Sequence, residues 1–238
     1  MLSSGSTHGV AIHSRFLKPW LHLHLGMPDA DVGILSGKLL ADLAGHGSLR
    51  RFARGEVLIS EGDVSDALYV LVAGKLKVFT SDFKRRELIY NILEPGEFFG
   101  EMFLDGGLRS ASVKAVEDSD CVVIGEAKFR EFMAAYPEFA ERLVIKLIGR
   151  VRHATRQIKG LALDGVYERM AVLINLIPLD AQGERVIPRE LTQQEIANRV
   201  GATREMINHL FRDLVRGGFL VKEGRMRTIV AKELPQHW

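Results

Sequence analysis

The chain has 238 residues, of which 47% are hydrophobic and 26% charged, and its formal net charge is +2. These values are typical of a folded globular protein with one or two domains. Its single cysteine, Cys121, excludes an intramolecular disulfide framework and a four-cysteine metal or iron–sulfur site within one chain. No run approaches the roughly 18 apolar residues of a membrane span, and the N-terminus shows no secretory signal. We therefore expect a cytoplasmic protein without membrane contact.

The first segment, residues 1–27, begins with serines and glycines and continues with scattered apolar residues. We expect an N-terminal arm and leave its mobility open. His13, His22 and His24 lie in this segment, but two histidines two positions apart in an apolar run do not make a ligand set, so we expect no metal site.

A first folded domain is expected over residues 28–136. Helical spacing of apolar residues from Ile34 to Leu43 predicts a short helix at its start. From about Arg51 to Glu126, short β-prone runs alternate with glycine turns. The expected strands are residues 54–59, 67–72, 76–79, 88–93, 112–116 and 121–124. This pattern predicts an antiparallel sandwich or barrel.

A long helix is predicted over residues 137–163, with Pro137 at its first position. Apolar residues recur at alternating spacings of three and four, which is the pattern of a coiled-coil seam. The seam consists of Val144, Leu147, Val151, Ala154, Ile158 and Leu161, and its flanks carry Lys146, Arg150, Arg152, Arg156 and Lys159. We interpret the segment as a homodimerisation helix; the alternative is a helix that lies on its own domain.

The last segment, residues 164–238, contains the pattern helix, tight turn, helix between Leu191 and Gly218. Thr192 and Glu195 predict a capping box at the first helix, Gly201 the turn, and Thr203 the cap of the second helix. Ile207, Leu210, Phe211 and Leu214 form one buried stripe. A short hairpin follows, so we predict a winged helix-turn-helix; the alternative is two ordinary surface helices.

The second of these helices carries a polar stripe suited to the major groove. Arginine can pair bidentately with guanine, and glutamate can accept from cytosine. From Arg189 to Lys232 nine Lys/Arg face five Asp/Glu, an excess that helps to hold phosphates. The candidate DNA-binding residues are Thr192, Gln193, Thr203, Arg204, Glu205, Asn208, His209 and Arg212.

A candidate anion site lies in residues 95–113, PGEFFGEMFLDGGLRSASV. Backbone N–H groups of a short turn at Gly100–Phe103 can cradle an anion, and Arg109 supplies a cationic fork for a phosphate. Glu101 is an acceptor suited to a sugar hydroxyl. The alternative is an Arg–Glu surface pair in a hairpin loop.

The run from about Arg51 to Val230 resembles the family of the cyclic AMP receptor protein and the FNR regulators. FGE at Phe99–Glu101 and RSA at Arg109–Ala111 match the family's phosphate-binding cassette. The resemblance implies an α+β protein: an N-terminal antiparallel, jelly-roll-like β-roll that binds a cyclic nucleotide, a long dimerisation helix and a C-terminal winged helix-turn-helix.

The resemblance also implies which residues bind the nucleotide. Glu101 would hold the ribose 2′-hydroxyl, Arg109 and Ser110 the cyclic phosphate, and Thr155 of the partner subunit the base. The full set is Phe99, Gly100, Glu101, Met102, Arg109, Ser110, Ala111 and Thr155. Ala154 stands where cyclic AMP receptor proteins often carry threonine, so cyclic AMP is favoured but cyclic GMP stays open.

The resemblance likewise implies a TGTGA-like half-site. His209 replaces an arginine usual in the family, so the half-site is expected to differ from TGTGA at one or more positions. Histidine lacks the bidentate fork of arginine.

The leading hypothesis is a dimeric, nucleotide-gated transcription regulator that binds a palindromic operator and contacts RNA polymerase. A second hypothesis keeps DNA binding but makes the pocket degenerate, with constitutive activity or a different signal. A cupin-type metal enzyme needs a histidine-rich ligand set, and residues 51–126 contain no histidine. A regulatory subunit or channel fragment with the same roll conflicts with the helix-turn-helix. We therefore expect no catalytic and no metal-binding residues.

Overall fold

The structure, a computed structural model, describes residues 37–64, 66–223 and 227–235. The helices are α1 (Gly37–Ala44), α2 (Glu126–Ala135), α3 (Pro137–Leu163), α4 (Val166–Asn175), α5 (Gln193–Val200) and α6 (Arg204–Arg216), and a 3₁₀ helix covers Glu101–Asp105. The strands are β1 (Ser48–Phe52), β2 (Val57–Ile59), β3 (Ala67–Ala73), β4 (Leu76–Ser81), β5 (Glu87–Leu93), β6 (Phe98–Phe99), β7 (Ser112–Ala115), β8 (Ser119–Gly125), β9 (Arg185–Val186), β10 (Leu220–Glu223) and β11 (Arg227–Val230). The expected N-terminal arm, its histidines and the tip of the expected wing lie outside the described residues.

Two four-stranded antiparallel sheets form the N-terminal domain, with strand orders β1-β8-β3-β6 and β2-β7-β4-β5. Alternate side chains of a strand point to opposite faces. On β3, Tyr69 and Leu71 therefore enter the core between the two sheets, while Leu68 and Val70 enter a second core under the helices. The predicted antiparallel β-roll is confirmed.

The second core is rich in aromatic side chains from α2 and the start of α3. Phe129, Phe132 and Phe139 are each 0% exposed, and the ring of Phe139 lies edge-on to the other two at 5.6 and 5.3 Å. Phe98 of β6 packs against Phe139 at 5.5 Å. These contacts fix α2 and α3 on the outer face of one sheet.

Strand β1 was missed by the sequence analysis. Four of its five residues are exposed, so its sequence SLRRF lacks an apolar pattern. Pairing with β8 defines it, supported by an ion pair between Arg51 and Asp120 at 3.0 Å. The neighbouring Cys121 is fully buried, and burial raises its pKa to about 12.

The C-terminal domain packs α4, α5 and α6 on a sheet of order β10-β11-β9. The predicted helix-turn-helix is confirmed, with Ile207, Phe211 and Leu214 buried. The expected capping box is only half formed: Thr192 Oγ1 accepts from the backbone N–H of Glu195 at 3.2 Å. The Glu195 carboxylate instead accepts from Arg199, its neighbour one turn later, at 3.1 Å.

The long helix α3 has two different faces. Phe139 and Leu143 near its start pack on the β-roll. Most of the predicted seam stays uncovered in the single chain: Val151 is 66% and Ile158 67% exposed.

None of the helices in the described residues has the length and apolar character of a membrane span.

The C-terminal domain joins the rest of the chain where α3 ends. The guanidinium of Arg169 donates to Asp164 O at 2.5 Å and to Val200 O at 2.8 Å, and so links the C-terminal ends of α3 and α5. Gly201 follows α5 with φ of 64°, and a Cβ there would lie 3.0 Å from Leu161 and 3.6 Å from Leu88 of β5. The helix-turn-helix therefore contacts both the long helix and the β-roll.

Phe132→Ala should lower the free energy of unfolding by about 3–5 kcal/mol, because it removes a fully buried ring from the aromatic core. Urea unfolding followed by circular dichroism measures this. Phe83→Ala is the matched control, since Phe83 is 89% exposed and should change stability by less than about 0.5 kcal/mol. Equal effects of the two changes would contradict the core described above.

Candidate functional site

The predicted anion cassette starts where β6 ends. Phe99 points inward and stacks on Tyr69 at 5.2 Å, so its side chain supports the cassette from within the core. Gly100 has φ of 86°, and a Cβ there would lie 2.7 Å from Nη1 of Arg109. Any other residue at this position would displace the Arg109 guanidinium.

Arg109 is the buried cation of the cassette, only 6% exposed. Its guanidinium donates to Gly100 O at 2.7 Å and to Ala67 O at 2.9 Å, and lies 5.8 Å from the centre of the Tyr69 ring. These bonds use two of its five N–H donors. Burial lowers the pKa of Arg109 and outweighs the attraction of Asp63, Asp66 and Glu101.

The backbone of Arg109 is also fixed. Its N–H donates to Asp63 O, and its carbonyl accepts from Gly62 N, both at 2.8 Å. The guanidinium is therefore held at a defined position before any anion binds, which favours binding because little ordering remains to be done.

Glu101, the first residue of the 3₁₀ helix, lies close to Arg109 and is 4% exposed. One carboxylate oxygen, Oε1, accepts from Arg150 of α3. The other, Oε2, is buried and has no hydrogen-bond partner among the described residues. A buried carboxylate oxygen without a hydrogen-bond donor is energetically unfavourable. This atom is therefore suited to accept a hydrogen bond from a hydroxyl group of a ligand.

The long helix supplies donors that the sequence analysis did not assign to the site. Lys146 Nζ donates to Phe98 O at 2.6 Å, and Arg150 Nη2 to the same oxygen at 3.2 Å. One and two turns further on, His153 Nε2 lies 3.2 Å and Gln157 Nε2 lies 3.3 Å from Tyr90 O. The 4, 3, 4 spacing of these four positions is a helix-face signal that could have revealed this stripe.

Charges accumulate at this place. Glu97, Glu101, Arg109 and Lys146 are each at most 7% exposed, and the side chain of Arg150 is 35% exposed. The cations of Arg109, Lys146 and Arg150 thus lie beside the buried carboxylates of Glu97 and Glu101, and Asp63 and Asp66 also attract Arg109. Buried cations of this kind favour a bound anion.

The remaining predicted ligand residues are placed differently. Met102 and Ser110 are exposed, and Ala111 is half-buried beside them. Thr155 lies exposed on α3, where its hydroxyl donates to Val151 O at 2.9 Å. A single chain thus brings Glu101 and Arg109 together and leaves Thr155 on the outer surface of the long helix.

The predicted DNA surface is the exposed face of α6. Arg204, Glu205 and Asn208 line a shallow cleft together with Gln193 of α5. Among the described residues, Arg204 and Glu205 form no ion pair, so their charged groups are available to base edges. Thr203 Oγ1 instead accepts from Met206 N at 3.3 Å and thereby positions the start of the helix.

His209 and Arg212 contact one another on the same face. His209 Nδ1 lies 3.3 Å from Arg212 Nη2, and its Nε2 lies 3.4 Å from Asp213. No cluster of three or more metal-ligating side chains occurs in residues 37–64, 66–223 and 227–235.

Comparison with known proteins identifies the two domains that carry these sites. The family model of the cyclic nucleotide-binding domain matches residues 49–136, and that of the Crp-like helix-turn-helix domain matches residues 168–235. The chain is 30% identical, over 76% of its length and 84% of the relative's, to the CRP-like cAMP-activated global transcriptional regulator of Mycobacterium tuberculosis. It is 31% identical, over 71% of its length and 83% of the relative's, to the cAMP-activated global transcriptional regulator CRP of Pasteurella multocida.

Solved structures show the same fold. The c-di-GMP responsive global regulator CLP of Xanthomonas campestris matches with a TM-score of 0.71 at 21% identity, over 82% of this chain and 98% of CLP. A transcriptional regulator of the CRP/FNR family from Thermus thermophilus matches with a TM-score of 0.62 at 25% identity, over 78% of this chain and 94% of its own. With a nucleotide-binding roll, a long helix and a Crp-like helix-turn-helix in this order, the chain belongs to the CRP/FNR family of transcription regulators.

Proposed function

We propose that the protein is a dimeric transcription regulator whose affinity for DNA is controlled by a cyclic nucleotide bound at Glu101 and Arg109. The observation that carries this proposal is that the buried, fixed guanidinium of Arg109 lies near a buried carboxylate oxygen of Glu101. Among the described residues this oxygen has no hydrogen-bond donor. Such a site selects a ligand that presents an anion next to a hydroxyl. The cyclic phosphate and the ribose 2′-hydroxyl of a cyclic nucleotide have this arrangement.

The base of the nucleotide is assigned less directly. Cyclic AMP is favoured because the relatives above are named for activation by cAMP. Ala154 offers no hydroxyl to the base, so the neighbouring Thr155 is left to make this contact from the partner subunit. Cyclic GMP remains the alternative, because Ser110 and Thr155 can also hydrogen-bond guanine.

The alternative of a degenerate pocket is disfavoured by the same geometry. The Glu101–Arg150 ion pair and the Arg109 bonds keep the binding groups in place. Burying these cations lowers stability when no bound anion compensates their charge. Their retention therefore favours a site that binds an anion.

Dimer formation is proposed through the uncovered seam of α3, which a second copy would bury as a coiled coil. Two-fold symmetry then predicts a palindromic operator with half-sites about one DNA turn, roughly 34 Å, apart. RNA polymerase is a further expected partner, proposed on the family resemblance alone. The limits of the four segments, 1–27, 28–136, 137–163 and 164–238, stay predictions.

The proposed control follows from the contacts between the cassette and α3. A ligand changes the balance of two conformations only by its different affinity for them. Because Glu101 and Phe98 O are bonded directly to Arg150, any movement of the cassette on binding acts on the long helix. The helix in turn contacts the DNA-binding domain at Gly201.

Arg109→Ala should weaken binding of cyclic AMP and cyclic GMP by about tenfold to hundredfold, because it removes the charge-assisted bonds to the phosphate. Isothermal titration calorimetry measures the affinity. Arg130→Ala is the control, since Arg130 is exposed and paired with Glu126 of its own helix. Unchanged affinity in folded Arg109→Ala would refute the assignment.

Arg204→Ala should reduce specific DNA binding by about 1–3 kcal/mol, through loss of a bidentate contact to guanine. Fluorescence anisotropy with a TGTGA-like duplex that the wild-type protein selects from randomised inverted half-sites, compared with a scrambled duplex, measures the specific part. Arg216→Ala, at the far end of the same helix, is the control. Equal losses on both duplexes would mean that Arg204 contacts only phosphate.

The double change Val151→Glu and Ile158→Glu should yield a protein with the 26.6 kDa mass of one chain, because like charges in the seam oppose helix pairing. Light scattering after size-exclusion chromatography measures the mass. Val172→Glu, at a residue of α4 that is 60% exposed, is the control. A dimer that survives the double change would place the interface elsewhere.

A further inference from the structure

Lys146 is a buried cation that the proposed nucleotide contacts leave without a role. It belongs to α3, is 7% exposed, and its side chain extends toward β6. Its Nζ donates to Phe98 O at 2.6 Å, lies 3.7 Å from the centre of the Phe98 ring, and lies 4.0 Å from the Glu97 carboxylate. Lysine is rarely buried this deeply unless a function or an ion pair requires it.

The contacts of Lys146 hold the backbone just before the cassette. Phe98 O precedes Gly100 by two residues, so a shift of the cassette on binding also shifts this carbonyl. Glu97 is itself fixed, because its carboxylate accepts from Glu94 N at 2.9 Å. Lys146 thus joins α3 to the cassette through the shorter of the two hydrogen bonds that Phe98 O accepts from this helix, the other coming from Arg150 at 3.2 Å.

We propose that Lys146 is a positioning residue that transmits occupancy of the anion cassette to the long helix α3. The inference rests on the proposed function, because it takes a bound cyclic nucleotide as the signal. Lys146 need not touch the nucleotide. It keeps Phe98 O bonded to α3, so that movement of the cassette is passed to the helix and through it to the DNA-binding domain.

The charge of Lys146 gives this coupling a pH signature. The charged groups that face it are Glu97 before β6, Glu101 of the 3₁₀ helix and Arg150 of α3, and the aromatic face is Phe98. Burial, which outweighs attraction by the two carboxylates, lowers the pKa of Lys146 to about 8.

The direction of the pH effect follows. Below about pH 8 Lys146 is protonated and donates a charge-assisted bond to Phe98 O; above it the bond weakens. An anion bound nearby favours the protonated form. The increase in DNA affinity caused by the nucleotide should therefore decline as pH rises from about 7 to about 9, and nucleotide binding at about pH 8 should take up protons.

The test compares the full-length wild type with Lys146→Met, Lys146→Arg and the control Lys128→Met, whose lysine is exposed on α2 and paired with Glu131. Calorimetry measures cyclic AMP and cyclic GMP affinity, in two buffers of different ionisation enthalpy to count protons. Anisotropy with the selected TGTGA-like duplex measures DNA affinity with and without nucleotide over the same pH range.

The nucleotide affinity of Lys146→Met should stay within about threefold of wild type, and its binding should take up no protons. The factor by which nucleotide raises DNA affinity should be about tenfold smaller than in wild type. Lys146→Arg, permanently charged, should keep the gain and show no decline with pH. Lys128→Met should follow the wild type at every pH.

Four results would overturn the inference. Lys146→Met with the wild-type gain and pH profile would show that Lys146 transmits nothing, while leaving the proposed function intact. Loss of nucleotide binding itself, as in Arg109→Ala, would make Lys146 a ligand-binding residue. If Lys146→Met does not fold, a Lys146→Arg profile identical to wild type gives the same negative answer. A wild type that binds neither nucleotide, or gains no DNA affinity from it, refutes the proposed function and the inference together.

Discussion

The ion pair between Glu101 and Arg150 is the interaction on which the organisation of the ligand site depends. Glu101 is almost fully buried, and its charge is tolerated because Arg150 of the long helix bonds to it and Arg109 and Lys146 lie nearby. Removing one partner of such a pair leaves an uncompensated charge in a poorly solvated place. The cassette and α3 are therefore held together as one unit, and the position of each limits that of the other.

The location of this unit follows from the alternation of side chains along a short strand. In β6, Phe98 enters the aromatic core beneath the helices, and Phe99 enters the core between the sheets. Two consecutive residues thus anchor the cassette to both cores of the domain. Since packed interiors resist continuous deformation, a ligand that moves the cassette must move the elements packed against Phe98, including α3.

The long helix serves three surfaces with different physical character. Its polar stripe from Lys146 to Gln157 contacts carbonyl groups of the β-roll. Its apolar seam is uncovered in the single chain and suits a second copy. Its end meets the DNA-binding domain through Arg169. Because packed and hydrogen-bonded elements carry coupling between distant sites, α3 is the element through which the proposed nucleotide signal would reach the DNA-binding domain.

Local sequence signals predicted the strand-rich antiparallel domain, the long helix and the helix-turn-helix, because periodicity and turn residues are local properties. The family motif assigned Glu101 and Arg109 to one ligand site. The sequence analysis missed β1, whose polar sequence becomes a strand only by pairing with β8. It also treated Lys146 and Arg150 as solvated flanks of a seam. Their side chains point toward the β-roll in the folded chain, because the carbonyl and the carboxylate that bind them lie about 50 residues away in the sequence.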